Sequence, residues 1–120
     1  MIKQIPVLAF LLSVSMSAFS QKVVPAKEAA NHKNETVMIT DTVAGGKYLA
    51  GSNITLLDVG APHPKEVLTL LIKGDDRKKF TTAPEALYKG KKVTITGTVI
   101  DYKGKPEIII TEPEQIKIVE

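Results

Sequence analysis

The sequence predicts an all-β domain with short helices: a five-stranded Greek-key barrel with one helix between its third and fourth strands and a short helix ahead of the first. Three observations carry that expectation. Apolar residues alternate with polar ones over short stretches bounded by glycine and proline, the period of half-buried strands. One internal helical pattern, Ala83-Pro84-Glu85-Ala86-Leu87-Tyr88, interrupts the strands after the third and is ended by Gly90. Val37-Met38-Ile39-Thr40-Asp41-Thr42-Val43 also echoes Val93-Thr94-Ile95-Thr96-Gly97-Thr98-Val99 at five of seven positions, each copy opening a hairpin.

In chain order, Pro25 followed by Ala26-Lys27-Glu28-Ala29-Ala30 starts a short helix, with proline in the first turn and Ala26, Ala29 and Ala30 on one narrow face. The first strand follows, with Val37, Ile39 and Val43 among threonines, and Gly45-Gly46 is expected to break it. A strand that serves both halves of a barrel must bend, and Asp41 stands where a glycine would be convenient. The second strand, Ile54 to Val59, is closed by Gly60 and by Pro62-His63-Pro64, whose prolines favour an extended bend. The third is Val67 to Lys73, followed by a charged turn from Gly74 to Lys79. Lys92 to Asp101 and Pro106 to Thr111 flank the turn Lys103-Gly104-Lys105, and Ile116 to Val119 can add an edge.

The chain of 120 residues has room for one domain. Residues 1–20 read as a signal peptide: Lys3, an apolar run from Val7 to Leu12, then small residues ending Ala18-Phe19-Ser20, with cleavage expected before Gln21. The apolar run is too short to anchor the chain in a bilayer, and Pro6 with Ser13, Ser15, Ser17 and Ser20 makes a poor buried helix. With no cysteine to carry a lipid, the mature domain, residues 21–120, is expected to be exported without a transmembrane anchor, to the periplasm or the medium. The absence of cysteine also removes thiol catalysis, thiolate metal sites and disulfides.

Cleavage would leave 15 basic and 13 acidic side chains, too mild a balance for bulk attraction to nucleic acid. Local charge is more uneven: Lys73 to Lys105 holds nine basic residues against four acidic, while the last fifteen residues set Lys117 against Glu107, Glu112, Glu114 and Glu120. A basic middle can draw in polyanions. It can equally be the solvated charge of loops and strand edges.

From Ala26 to Val119 the chain resembles the bacterial exported OB-fold domain family, whose domain is also found attached to secreted nucleases. The resemblance rests on Ala26-Lys27-Glu28-Ala29-Ala30, Leu57-Asp58-Val59-Gly60, Pro64, Gly74-Asp75-Asp76-Arg77-Lys78-Lys79-Phe80 and Leu87-Tyr88-Lys89-Gly90-Lys91-Lys92-Val93. It is strongest in Val93 to Val99 with Tyr102-Lys103-Gly104-Lys105-Pro106-Glu107-Ile108 and Pro113-Glu114-Gln115-Ile116. It implies a scaffold and an oligonucleotide-binding or other accessory role, with no active site. Where such domains often carry aromatics, near the ends of the second and third strands, this chain has Leu56, His63, Leu68 and Lys73. A face without rings gives up stacking worth about 1–3 kcal/mol per base and keeps the salt-sensitive charge contribution.

Strand phase assigns Leu57 and Val59, and Leu68, Leu70 and Ile72, to the core. The opposite faces then carry Leu56, Asp58, Val67, Thr69, Leu71 and Lys73, and their aliphatics need a cover. One candidate is the alanine face of the N-terminal helix, a structural answer. The other is a ligand or partner lying across the sheet, touched by Lys47, Tyr48, Lys73, Tyr102, Lys103 and Lys105 from the loop Ala44 to Asn53 and the last turn. The expected function is therefore that of a non-catalytic exported module binding single-stranded nucleic acid or another polyanion. The alternative is a protein-interaction or structural module of the cell envelope.

No enzyme activity is expected. Beyond residue 20 the chain has one serine, Ser52, two histidines, His32 and His63, and one arginine, Arg77, so neither a Ser-His-acid set nor an arginine phosphate clamp is spelled out. No cofactor or metal is expected either: Asp75-Asp76 after a glycine reads as turn chemistry, and His63 as a bend residue between prolines. The sequence leaves the ligand and the oligomeric state open.

Overall fold

The structure is a computed structural model and describes residues 22–119; the predicted signal peptide lies outside the described residues. The elements in order are β1 (Lys22–Val24), a 3₁₀ helix (Ala26–His32), β2 (Thr36–Leu49), β3 (Ile54–Val59), β4 (Leu68–Lys73), α1 (Gly74–Arg77), α2 (Pro84–Leu87), β5 (Lys92–Tyr102), β6 (Lys105–Ile109), a 3₁₀ turn (Pro113–Gln115) and β7 (Ile116–Ile118).

Five strands form a ring. β2 pairs with β3, β3 with β4 and β6 with β5, all antiparallel; β4 and β6 run parallel; and β5 pairs back onto β2. Two further strands flank the seam, β1 parallel to β2 and β7 antiparallel to β5, so the sheet has seven strands and not the five expected. The extra pair covers what would otherwise be open edges beside β2 and β5.

The core follows the alternation. Val37, Ile39 and Val43 of β2, Leu57 and Val59 of β3, Leu68, Leu70 and Ile72 of β4, Val93, Ile95 and Val99 of β5 and Ile108 of β6 are all buried. Ile39 stands opposite Ile95 across the seam, and Thr36–Thr98 and Thr40–Thr94 hydroxyl pairs at 2.9 and 3.0 Å tie the same two strands.

The bend in β2 falls at Val43 to Gly45, where the register slips, and not at Asp41. Residues 36–42 pair with β5 and residues 43–49 with β3. Gly45-Gly46 therefore lies inside a strand that continues to Leu49, and the expected break is a bulge. Gly46 is needed for close approach: a Cβ there would sit 2.8 Å from Leu57 Cδ2 and against the Leu56 carbonyl.

The N-terminal helix does not lie over the outer face of β3 and β4. Ala26 and Ala29 are fully buried with the barrel core, and the helix packs against β2, β5, β4 and β6. Small side chains let its backbone approach the sheet where larger ones would clash. Gly74 to Lys79, expected as a charged turn, contains the single helical turn α1. α2 brings Pro84 and Tyr88 into the interior, and Tyr88 meets Phe80 edge to face at 6.2 Å.

Candidate ligand-binding groove

Because the helix closes the barrel from within, the outward side chains of β3 and β4 keep no cover from it. Cross-strand register arranges them in rows: Lys47, Leu56, Leu71 and Ile109; Asp58, Thr69 and Glu107; and Leu49 with Ile54. All of these but Ile109, together with His63 and Glu66 of the β3–β4 loop and Tyr102 and Lys105 of the β5–β6 hairpin, surround a groove of about 330 Å³. Its floor is aliphatic, with Leu49, Ile54, Leu56 and Leu71, and around it stand three carboxylates, Asp58, Glu66 and Glu107, the ammonium groups of Lys47 and Lys105, the His63 imidazole and the Tyr102 phenol.

The acids share one end. Burial, with the neighbouring Glu66 charge, pushes the Asp58 carboxyl up, against opposing pulls from His63 and Lys47. Burial also works against ionised Glu66, but hydrogen bonds from His63 and from its own amide, with the His63 and Lys105 charges, outweigh it and hold the group below its ordinary value. His63 Nδ1 lies 2.8 Å from Glu66 Oε2. Glu107, only 6% exposed, is pushed up by burial.

Of the six contact residues expected from sequence, Lys47, Tyr102 and Lys105 line this groove. Tyr48 has the opposite phase: it pairs with buried Thr55, hydrogen-bonds Asn53 through its hydroxyl at 2.7 Å and carries the Arg77 guanidinium 4.1 Å from its ring centroid. Lys47 and Tyr48, assigned to a loop, are strand residues on opposite faces. Lys73 is exposed at the end of β4 beside Ile54 and outside the groove lining. Lys103 lies in the hairpin turn at positive φ, its ammonium 5.3 Å from the Tyr102 ring centroid. Sequence reasoning left out Asp58, Glu66 and Glu107 as site residues. Asp58 and Glu107 were within its reach, since both share the outward phase with Leu56 and Thr69.

Three of the nine basic residues in the middle of the chain lie beside carboxylates. Arg77 pairs with Glu85, Lys78 with Asp75, and Lys79 with Asp76 and Glu112. A second cavity of about 300 Å³ lies beside Arg77 and Lys78; of its polar groups, Arg77 and the Tyr48 hydroxyl are already engaged with Glu85, Thr55 and Asn53.

No family model matches the sequence, and neither does any curated protein. Solved structures do match its shape. An aspartyl-tRNA synthetase from Entamoeba histolytica superposes with a TM-score of 0.56 at 16% identity, covering 88% of this chain and 22% of the synthetase. OBody AM1L10 bound to hen egg-white lysozyme superposes with a TM-score of 0.54 at 18% identity, covering 85% of this chain and 97% of the OBody. The S. pombe Stn1-ten1 complex gives 0.50 at 16% identity over 71% of this chain and 58% of that one. The chain has an OB-fold. This chain spans about a fifth of the synthetase, so the likeness is one of fold.

Proposed function

We propose that the chain is an exported, non-catalytic binding module that takes a polypeptide segment into the groove on the outer face of β3 and β4. The observation that carries this reading is the lining itself: four aliphatic side chains flanked by more carboxylates than ammonium groups. An apolar floor rewards buried side chains of a ligand, at about 25 cal/mol per Å² removed from water. The carboxylates at one end favour a basic residue and repel phosphates. The OBody, which is bound to lysozyme, is a chain of this shape that takes a protein as its partner. Export rests on the signal-peptide reading of residues 1–20, and N-terminal sequencing of the exported product should begin at Gln21.

Selection from a displayed peptide library on the purified chain should enrich aliphatic or aromatic anchors flanked by Lys or Arg. Leu71→Asp should abolish that binding while Lys73→Glu leaves it unchanged, because Leu71 lines the groove and Lys73 does not.

A second reading is recognition of single-stranded nucleic acid or another polyanion, favoured by Lys47, Lys105 and Tyr102 on the groove lining. It requires oligonucleotide binding that weakens steeply with salt and is lost on Lys105→Glu. Binding of that kind, with no peptide enrichment, would replace the first reading.

A further inference from the structure

At the acidic end of the groove, Asp58, His63 and Glu66 each offer a ligand atom, and these atoms all lie within 4.8 Å of one another. Asp58 is fixed by the β3 ladder, while His63 and Glu66 come from the β3–β4 loop. A second observation is independent of that cluster. The Glu66 side chain is only 7% exposed, its Oε2 faces His63, and its Oε1 is buried with no hydrogen-bond partner of standard geometry among the described residues. An unsatisfied buried carboxylate oxygen costs about 1–3 kcal/mol or more, so Oε1 calls for a partner from the groove, a water or an ion.

We propose that Asp58, His63 and Glu66 form a binding site for a first-row divalent cation of the zinc type, opening into the groove. This goes beyond the peptide-binding reading and does not depend on it. One imidazole with two carboxylates suits zinc and its neighbours better than magnesium or calcium, which prefer oxygen ligands alone. Zinc ligands sit about 2.0–2.2 Å from the ion. The three ligand atoms must draw together from separations of up to 4.8 Å, and Asp58 and His63, both solvent-accessible, are the side chains with room to move. The ion takes the place of the hydrogen between His63 Nδ1 and Glu66, which from a neutral imidazole moves to Nε2 and from an imidazolium leaves to solvent, and it supplies a partner for Glu66. Three protein ligands leave at least one coordination position for water or a donor on a groove ligand.

The test is titration of the full chain with Zn²⁺ by calorimetry and with Co²⁺ by visible absorption, at pH 7. One ion per chain should bind, with a Co²⁺ spectrum of low coordination number, and millimolar Mg²⁺ should not compete. His63→Ala and Glu66→Gln should each weaken binding by about tenfold or more, and His32→Ala, at the other His–Glu pair, should leave it unchanged. Circular dichroism of each variant separates lost ligation from lost fold, and Asp58→Asn supplies a third variant should Glu66→Gln unfold. Absence of stoichiometric binding overturns the proposal. So does binding that survives His63→Ala and Asp58→Asn in folded protein, or that falls equally on His32→Ala.

Discussion

Replacing Arg77 by alanine should be among the most destabilising single changes outside the aliphatic core. The guanidinium donates to Glu85 Oε1 at 2.6 Å and Oε2 at 3.1 Å, to the hydroxyl of buried Thr55 at 2.7 Å, and stacks on Tyr48. Removing the donor from the Thr55 hydroxyl costs about 1–3 kcal/mol. The ion pair adds about 1 kcal/mol, a surface-like value, because both side chains keep roughly a fifth of their exposure. The ring contact adds about 0.5–1 kcal/mol. The total is about 3 kcal/mol, a drop in Tm of roughly 15 °C for a domain of this size. Arg77→Lys keeps the charge without the planar fork and should lose about half as much. Urea denaturation of Arg77→Ala, Glu85→Ala and the double variant should give a coupling of about 1 kcal/mol. An Arg77→Ala protein within about 0.5 kcal/mol of the parent, or a coupling of zero, would refute the account of the cluster.

Other outcomes follow from the same contacts. The hydrogen bond from Arg77 holds the Glu85 carboxyl below its ordinary value against the opposing effect of burial, so this stabilisation is full above pH 4.5 and lost as pH falls through the depressed folded value. Glu85→Gln should flatten that acid limb in urea midpoints measured from pH 2 to 7. Glu107 has the reverse sign: burial raises it, so its ionised form opposes folding at neutral pH and the penalty vanishes below 4.5. Glu107→Gln should therefore raise Tm at pH 7 and leave it unchanged at pH 3. Gly97→Ala would place a Cβ 2.6 Å from Ile108 Cγ2 and 3.3 Å from Gln115 Nε2, and the overpacking should cost about 1–3 kcal/mol by denaturant titration.

The barrel was legible because its strands obey a period of two and because the echo has a geometric cause. Ile39 and Ile95 occupy the same place in the two copies and stand opposite each other, while Val37 faces Gly97 and Asp41 faces Val93. The repeat is thus a local two-fold relation across the seam that closes the ring, and pattern matching could detect it without knowing the pairing. The bend of β2 was misplaced for a related reason. Gly45-Gly46 carries two opposite meanings in a sequence, a strand break or a close approach inside a bent strand, and only the neighbouring backbone of β3 decides between them. β1 was missed because three residues have too little alternation to register against a proline and a helical run.

The site was legible in its face and less so in its charge. Phase alone placed Leu56, Asp58, Thr69 and Leu71 together, and the structure puts all four on the groove lining. Phase could not say that Glu66 folds back from the loop beside Asp58, because loop residues have no period, nor that Arg77 and Lys79 spend their charge on Glu85 and Glu112. Of the nine basic residues between Lys73 and Lys105, three, Arg77, Lys78 and Lys79, have carboxylate partners that the sequence alone could not show. Once the internal pairs are removed, the end of the groove nearest the β3–β4 loop is acidic. Its ligand is then selected by what that loop holds: a basic side chain against Asp58 and the His63-paired Glu66, or a donor atom for a bound ion.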